Sequence, residues 1–252
     1  MKAVILAGGK GTRLAPYTKV LPKPLMPIGD MPILEILLRQ MKRAGVDEAI
    51  LTVGHMAQLL RLFFQDGNGL GLKIRYSYED NPLGTAGPLS LIRGLTETFI
   101  VANGDVLTAL NFKDIVKAHK KSGAIATIAT HRRCTKIDLG VIEFKDDCTI
   151  GNYVEKPEHN YYVSMGIYIF EPRVLKYVPR NQYFDFPDLV LAMIKAGEKV
   201  AGFKYHGYWQ DLGRHDDYEQ AIEEFGKMRH IILGEKKPRL KNNPDKSAEN
   251  RA

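Results

Sequence analysis

The sequence predicts an α/β protein built on a doubly wound, mixed sheet with a smaller β-rich lobe attached to it. Three observations carry that expectation. The chain opens on a short apolar run that stops at clustered glycines, and apolar runs then alternate with helical stretches to about residue 130. Beyond Arg133 the runs become shorter and read as hairpins. At 252 residues the chain can bury one core with a small appended lobe.

Lys2 to Ala7, KAVILA, reads as a buried strand running into Gly8-Gly9-Lys10-Gly11-Thr12-Arg13. A strand that ends in glycines at a sharp turn is where α/β proteins place a phosphate. Glycine admits positive φ and close backbone approach, so several N–H groups can point at one triphosphate, while Lys10 and Arg13 add positive charge. Neither familiar phosphate motif fits: the spacing of a Walker A loop is absent, and Leu14 stands where the dinucleotide fingerprint needs its third glycine. Lys23 follows between Pro22 and Pro24, which fix φ and give a point charge a stiff mount against a phosphoryl group.

Met31 to Gly45 reads as a helix with proline near its start and glycine at its end. Ala49 to Val53 is a strand, Gln58 to Gln65 a short helix, and Lys73 to Glu79 a third strand that ends in EDNPLGTAG. A helix is expected from Pro88 to Arg93. Thr98 to Val106 then delivers Asp105 behind Gly104, an arrangement suited to a carboxylate that holds Mg²⁺ near phosphates. Phe112 to Ser122 is a helix and Ala124 to Thr130 a strand. Gly140 to Phe144 and Thr149 to Val154 form a hairpin leading to Glu155-Lys156-Pro157, and Val163 to Phe170 is a further strand in which Gly166 can admit a sugar ring near the backbone. A short helix from Val174 to Val178, a longer one from Phe186 to Gly197 capped locally by Asp188, a strand from Lys199 to Tyr205 and a last helix after Arg214 complete the reading. His206 and His215 read as structural or surface residues.

Composition excludes several classes. Cys134 and Cys148 have neither metal-ligand spacing nor a nucleophilic context, which fits a reduced compartment. The opening apolar run is too short for a signal peptide or a membrane span, so a cytoplasmic protein without a membrane partner is expected. The formal charge of +7 invites a nucleic-acid reading, but between Lys227 and Ala252 eight cations face three anions, so most of the excess sits in a terminal, solvated extension. No nucleic-acid partner is expected; homo-oligomerisation stays open.

The string GGKGTRLAPYTKVLPKPLMPIG resembles the signature of the sugar-1-phosphate nucleotidyltransferases, in the order G-G-x-G-T-R-L, P-x-T and P-K-P, and the similarity extends to about Phe225. EDNPLGTAG is similar to the matching segment of mannose-1-phosphate guanylyltransferases. The resemblance implies a Rossmann-like, nucleotide-diphospho-sugar transferase fold over residues 1–225, with 132–210 largely a sugar-phosphate-binding lobe and 226–252 a basic extension. It implies Mg²⁺-dependent transfer of a nucleotidyl group from a nucleoside triphosphate to a sugar 1-phosphate, with release of pyrophosphate. Under it Gly8, Gly9, Gly11 and Arg13 contact the nucleotide beside Leu6, Ala7 and Thr12, and Lys23 meets the transferring phosphate. Pro82, Gly84, Thr85 and Gly104 complete the nucleotide wall. YWQDLG resembles the family's second metal motif, so Asp211 joins Asp105 as a ligand of one Mg²⁺, and Arg13, Lys23, Asp105 and Asp211 form the catalytic set.

For the acceptor, the resemblance of EKP assigns sugar hydroxyls to Glu155 and the sugar phosphate to Lys156, with Gly140, Ser164 and Gly166 nearby. Relatives usually carry asparagine and a small residue before that glycine; Ser164 and Met165 depart from this, which points away from ordinary mannose or glucose 1-phosphate. Relatives that use uridine or thymidine triphosphate carry a glutamine where Glu79 stands. A carboxylate only accepts, and its best base partner is guanine, with N1–H and N2–H side by side. GTP is therefore favoured, with CTP, UTP or dTTP as alternatives and a noncatalytic nucleotide-sugar sensor or scaffold as the second functional class. No β-helix repeat is read after the domain.

Overall fold

A computed structural model describes residues 1–235. The chain runs through β1 (Lys2–Leu6), a small pair β2 (Pro27–Ile28) and β3 (Met31–Pro32), α1 (Ile33–Arg43), β4 (Glu48–Val53), α2 (Ala57–Phe64), β5 (Lys73–Tyr78) and β6 (Phe99–Asn103). It continues through β7 (Val106–Thr108), α3 (Phe112–Ser122), β8 (Ala126–Lys136), the hairpin β9 (Val141–Phe144) and β10 (Ile150–Val154), and β11 (Glu158–Phe170). α4 (Phe186–Lys195), β12 (Val200–Tyr205), β13 (Trp209–Asp211) and α5 (His215–Leu233) follow.

Seven strands form the main sheet in the order β12-β8-β11-β6-β1-β4-β5. β11 runs antiparallel to both its neighbours, and the other pairings are parallel. Strands covered on both faces read as continuous apolar runs, and successive residues still divide between the faces. Ile5, Leu51 and Ile100 pack under α1, α2 and α3, whereas Val4, Ile50 and Val101 pack against Leu89, Phe186, Leu189 and Met193 on the other side. A third cluster joins Ile33 and Ile36 of α1 to Met26, Ile28, Leu212, Phe225 and Ile232, so the last helix covers the segment that follows β1. The order reverses around β1, which pairs with β4 on one side and β6 on the other, and such switch points place ligands beyond the carboxyl ends of the strands.

Several expectations change. Pro88–Arg93 is no α-helix: Gly87–Leu91 winds as a 3₁₀ run because the Ser90 hydroxyl takes the Gly87 carbonyl and Phe184 O holds the amides of Ala86 and Gly87. Pro172–Tyr177 is also 3₁₀. The strand expected from Thr98 to Val106 breaks at Gly104-Asp105, after which β7 leaves the main sheet to pair with β13. β8 and β11 run further than expected; their outer halves form an exposed ribbon without an apolar face that would announce a strand. Asp188 does not precede α4 but lies in its first turn; Asp185 is the residue before the helix.

Within 132–210 the first part, with the hairpin, is an exposed arm, while the inner half of β11, α4 and β12 belong to the main sheet and its core. α5 runs through residue 225, and Ile232 and Leu233 in its last turn are buried, so residues 226–233 pack on the domain. The remainder of the basic extension, 236–252, lies outside the described residues. Cys134 and Cys148 are free and exposed, and among the described residues no helix is long and apolar enough to cross a membrane.

Candidate active site

All four parallel strands at the switch point end at one cleft of about 750 Å³, within the ordinary range for ligand sites of about 300–1,000 Å³. β1 supplies the glycine loop, β4 Gly54 and His55, β5 Glu79 and Asp80, and β6 Asn103 and Asp105. Ala7 N donates to Thr52 O at 2.9 Å, which carries the β1 pairing to the start of the loop. Gly11 sits at φ +62°, and a Cβ there would lie 2.9 Å from Thr18 Cγ2; the Thr18 hydroxyl donates to Gly11 O at 2.8 Å. Only glycine fits that left-handed position without strain. Thr12–Leu14 makes a single 3₁₀ turn rooted by the buried Leu14, leaving Arg13 at the cleft. His215 has the structural role expected of it: its Nε2 donates to Ala15 O at 2.8 Å, so the start of α5 brackets the loop.

Lys23 is only 8% exposed, in a short turn between its two prolines, and its ammonium is paired with Asp105. Asp105 occupies the break between β6 and β7. Because Val106 lies opposite Asp211 in the β7–β13 pair, the two aspartates come together. A Cβ on Gly213 would sit 3.2 Å from Arg13 Nη1 and 3.4 Å from Asp211 Oδ2, so Arg13 reaches the same point. Desolvation pushes the Asp211 carboxyl above the usual carboxylate range, and the Asp105 charge adds to it, against Lys23 and Arg13. Two hard carboxylates held side by side with room for phosphate oxygens fit Mg²⁺, which commonly binds one or two carboxylates together with phosphates and waters.

A further wall of the cleft is built on Glu79. Its amide continues the β5 pairing to Val53 O at 3.1 Å; its Oε2 accepts from Leu83 N at 3.1 Å, and its Oε1 lies 3.1 Å from where a Cβ on Gly8 would stand. Desolvation raises its carboxyl, with the Leu83 N–H pulling the other way. Pro82, Gly84 and Thr85 line the same wall. Thr12, Gly104 and Asp211 flank the cleft rather than line it. The sequence reading passed over His55, Asn103 and Tyr183, which line it, and Asp185, which holds Thr85. Only their positions just after β4, at the end of β6 and before α4 mark them in the sequence.

The acceptor residues are more scattered. Gly166, at φ +71°, abuts Asn103: a Cβ there would lie 2.8 Å from Asn103 Cγ. The Ser164 hydroxyl donates to Tyr168 Oη at 3.1 Å and accepts from Gly166 N at 3.2 Å, so it is spent within an irregularity of β11. Met165 is buried, and its carbonyl accepts from Trp209 Nε1 at 3.2 Å. Gly140 lies under the Tyr153 ring, whose hydroxyl donates to Glu155 Oε2 at 3.2 Å; Glu155 and Lys156 stand exposed on the arm, apart from the residues that line the cleft.

The profile of the family described as Nucleotidyl transferase matches residues 2–227. The chain is 37% identical over 242 residues to the UTP–glucose-1-phosphate uridylyltransferase of Synechocystis sp., covering 88% of this chain and 62% of that protein. It is 36% identical over 226 residues to the mannose-1-phosphate guanylyltransferase catalytic subunit beta of Danio rerio, covering 86% and 62%. A crystal structure from Bacillus anthracis, provisionally assigned as a glucose-1-phosphate thymidylyltransferase and solved with a sucrose, superposes with a TM-score of 0.73 at 25% identity, over 89% of this chain and 94% of that one. The chain thus spans about 62% of the length of the curated relatives it matches. With the profile covering nearly all of the described residues and relatives above one-third identity, the chain belongs to the Nucleotidyl transferase family.

Proposed function

We propose that this chain catalyses Mg²⁺-dependent transfer of a nucleotidyl group from a nucleoside triphosphate, with GTP favoured, to a sugar 1-phosphate, releasing pyrophosphate. The observation that carries the reading is one cleft lined by the glycine loop, Lys23 and Asp105 together with Glu79, which stands against Gly8, so that groups suited to phosphates and a carboxylate suited to a base share one site. A phosphate oxygen of the sugar 1-phosphate forms a bond to the α-phosphorus; the bond from that phosphorus to the bridging oxygen of the β-phosphate breaks, and its electron pair leaves with pyrophosphate. The nucleophile is already an anion, so alignment and charge stabilisation are what the site must provide, and no residue needs to act as a base.

In this reading the glycine-loop amides and Arg13 bind the phosphates. Lys23 exchanges its Asp105 partner for a phosphate oxygen, both being anionic acceptors. Asp105 and Asp211 hold Mg²⁺, which when bound supplies neutralising charge to the reacting phosphates. Glu79 keeps its Oε1 and the remaining lone pair of Oε2 for the two neighbouring donors of guanine. Glu155 and Lys156, on the exposed arm, take the sugar hydroxyls and the sugar phosphate respectively.

The test offers ATP, CTP, GTP, UTP and dTTP with a panel of hexose and heptose 1-phosphates and measures pyrophosphate release with Mg²⁺ and with chelator. A GTP preference that weakens in Glu79→Gln supports the reading. The Synechocystis relative favours UTP as a second reading; a preference for UTP or dTTP overturns the base assignment alone, and no release with any pair overturns the enzyme in favour of a sensor or scaffold.

A further inference from the structure

Asp185 lies about a hundred residues from the segment it holds, and its carboxylate takes three hydrogen bonds. Oδ1 accepts from Thr85 N at 2.8 Å and from Thr85 Oγ1 at 2.9 Å, and Oδ2 accepts from Tyr183 Oη at 2.7 Å. Thr85 Oγ1 in turn accepts from Phe186 N at 2.9 Å, so the hydroxyl of a distant loop satisfies an open amide at the start of α4. The two strings of backbone are stitched on either side: Phe184 N donates to Leu83 O, and Phe184 O accepts from Ala86 N and Gly87 N, each at 2.9 Å. Gly84 sits between them at φ +76°, and a Cβ there would lie 2.8 Å from both Phe184 O and Asp185 Oδ1. Desolvation works to raise the Asp185 carboxyl, yet the Tyr183 and Thr85 donors hold it below the usual range, as expected of an anion that anchors a loop.

The loop so anchored begins with Leu83, whose N–H holds Glu79 Oε2. Tyr183, 66% exposed and lining the cleft, is steadied by the same carboxylate. We infer that Asp185 is a positioning residue for base selectivity: it fixes the 83–87 loop against residues 184–186, and through the Leu83 amide it sets where the Glu79 carboxylate meets the base. The inference rests on the proposed role of Glu79 and adds to it a residue that touches no reacting atom. Discrimination of a bidentate kind depends on oxygens held to within about half an ångström, which an isolated glutamate at a strand end does not achieve.

The test is calorimetric binding of GTP and of UTP, each with Mg²⁺ and without acceptor, to the wild type, Asp185→Ala, Asp185→Asn, Glu79→Gln and the Glu79→Gln/Asp185→Ala double variant. Asp185→Ala is expected to lose about tenfold in the GTP:UTP affinity ratio, the scale of one hydrogen bond to a charged group. Asp185→Asn, whose amide oxygen still accepts from Thr85, should retain most of the ratio, which separates positioning from loss of fold. In the double variant Asp185→Ala should cost nothing beyond Glu79→Gln, because both act through one contact. An unchanged ratio in Asp185→Ala, or additive losses in the double variant, overturns the inference while leaving Glu79 in place. A wild type that prefers UTP overturns the guanine reading, and the inference then falls if Asp185→Ala keeps that preference. A wild type that binds both nucleotides equally overturns both.

Discussion

Lys23 shows how much of a site can rest on one mounting. The flanking prolines fix its backbone, Leu25 and Pro24 bury its turn, and its ammonium meets Asp105 at the edge of the cleft. Lys23→Glu would set a third carboxylate beside Asp105 and Asp211, where a triphosphate must also fit. Turnover at saturating substrate should fall by about a hundredfold or more, the scale of losing one donor aimed at a developing charge. Asp105 remains accessible from the cleft and can be hydrated, so the thermal midpoint should shift little by comparison. Near-wild-type turnover in this variant would remove Lys23 from the catalytic set. Lys23, Asp105 and the glycine loop were legible in the sequence because prolines and glycines write their backbone needs locally. Asp185 was not: its effect passes through hydrogen bonds to Thr85 and a backbone amide at Leu83, and nothing in the string YFDFPD records a partner so far away in the chain.

At the scale of elements, legibility followed burial. β1, β4 and β6 announce themselves as continuous apolar runs because both their faces are covered, whereas the outer halves of β8 and β11 carry strings such as HRRCTK that no core selects. Pairing alone extends them. β4 also carries a charge junction at its first residue. Glu48, with its side chain 13% exposed, faces Arg75 at 3.0 Å on β5 and Lys2 at 3.5 Å on β1, with Lys73 at 3.9 Å. Desolvation works to raise its carboxyl, but the Arg75 hydrogen bond and the three cations together hold it below its ordinary 4.5. A carboxylate whose folded value is depressed stabilises the fold above its unfolded value, and that stability is lost as pH falls through the folded one. The urea midpoint of the wild type should therefore exceed that of Glu48→Gln at pH 7, with the gap closing as pH drops below about 4.5. A gap that stays constant down to pH 3 would show that the junction contributes nothing through its charge.

At the scale of the molecule, the segment that follows the glycine loop is held by α5, the last helix among the described residues. α5 crosses the segment after β1: His215 holds Ala15 O, Tyr218 Oη donates to Pro27 O at 2.6 Å, and Phe225 packs where a Cβ on Gly29 would lie 3.2 Å from its ring. Its last turn reaches α1, where Gln40 Nε2 donates to Ile232 O at 3.1 Å and to Thr108 O at 2.6 Å, and Arg43 also binds Ile232 O. Residues on both sides of 225 thus share one core, although the family resemblance reaches only to about Phe225 and the cations from Lys227 onward read as a terminal extension. Ile232→Ala should remove a fully buried side chain at a cost of about 2–4 kcal/mol, read as a lower urea midpoint with an unchanged denaturant slope. The phosphate end of the cleft is tied to the first turn of α5, well over two turns away, so nucleotide affinity measured well below the transition should stay within about twofold of wild type. A variant as stable as wild type would mean that the last turn of α5 is a surface appendage. One with intact stability margin but much weakened nucleotide binding would mean that α5 moves as a rigid lever on the glycine loop.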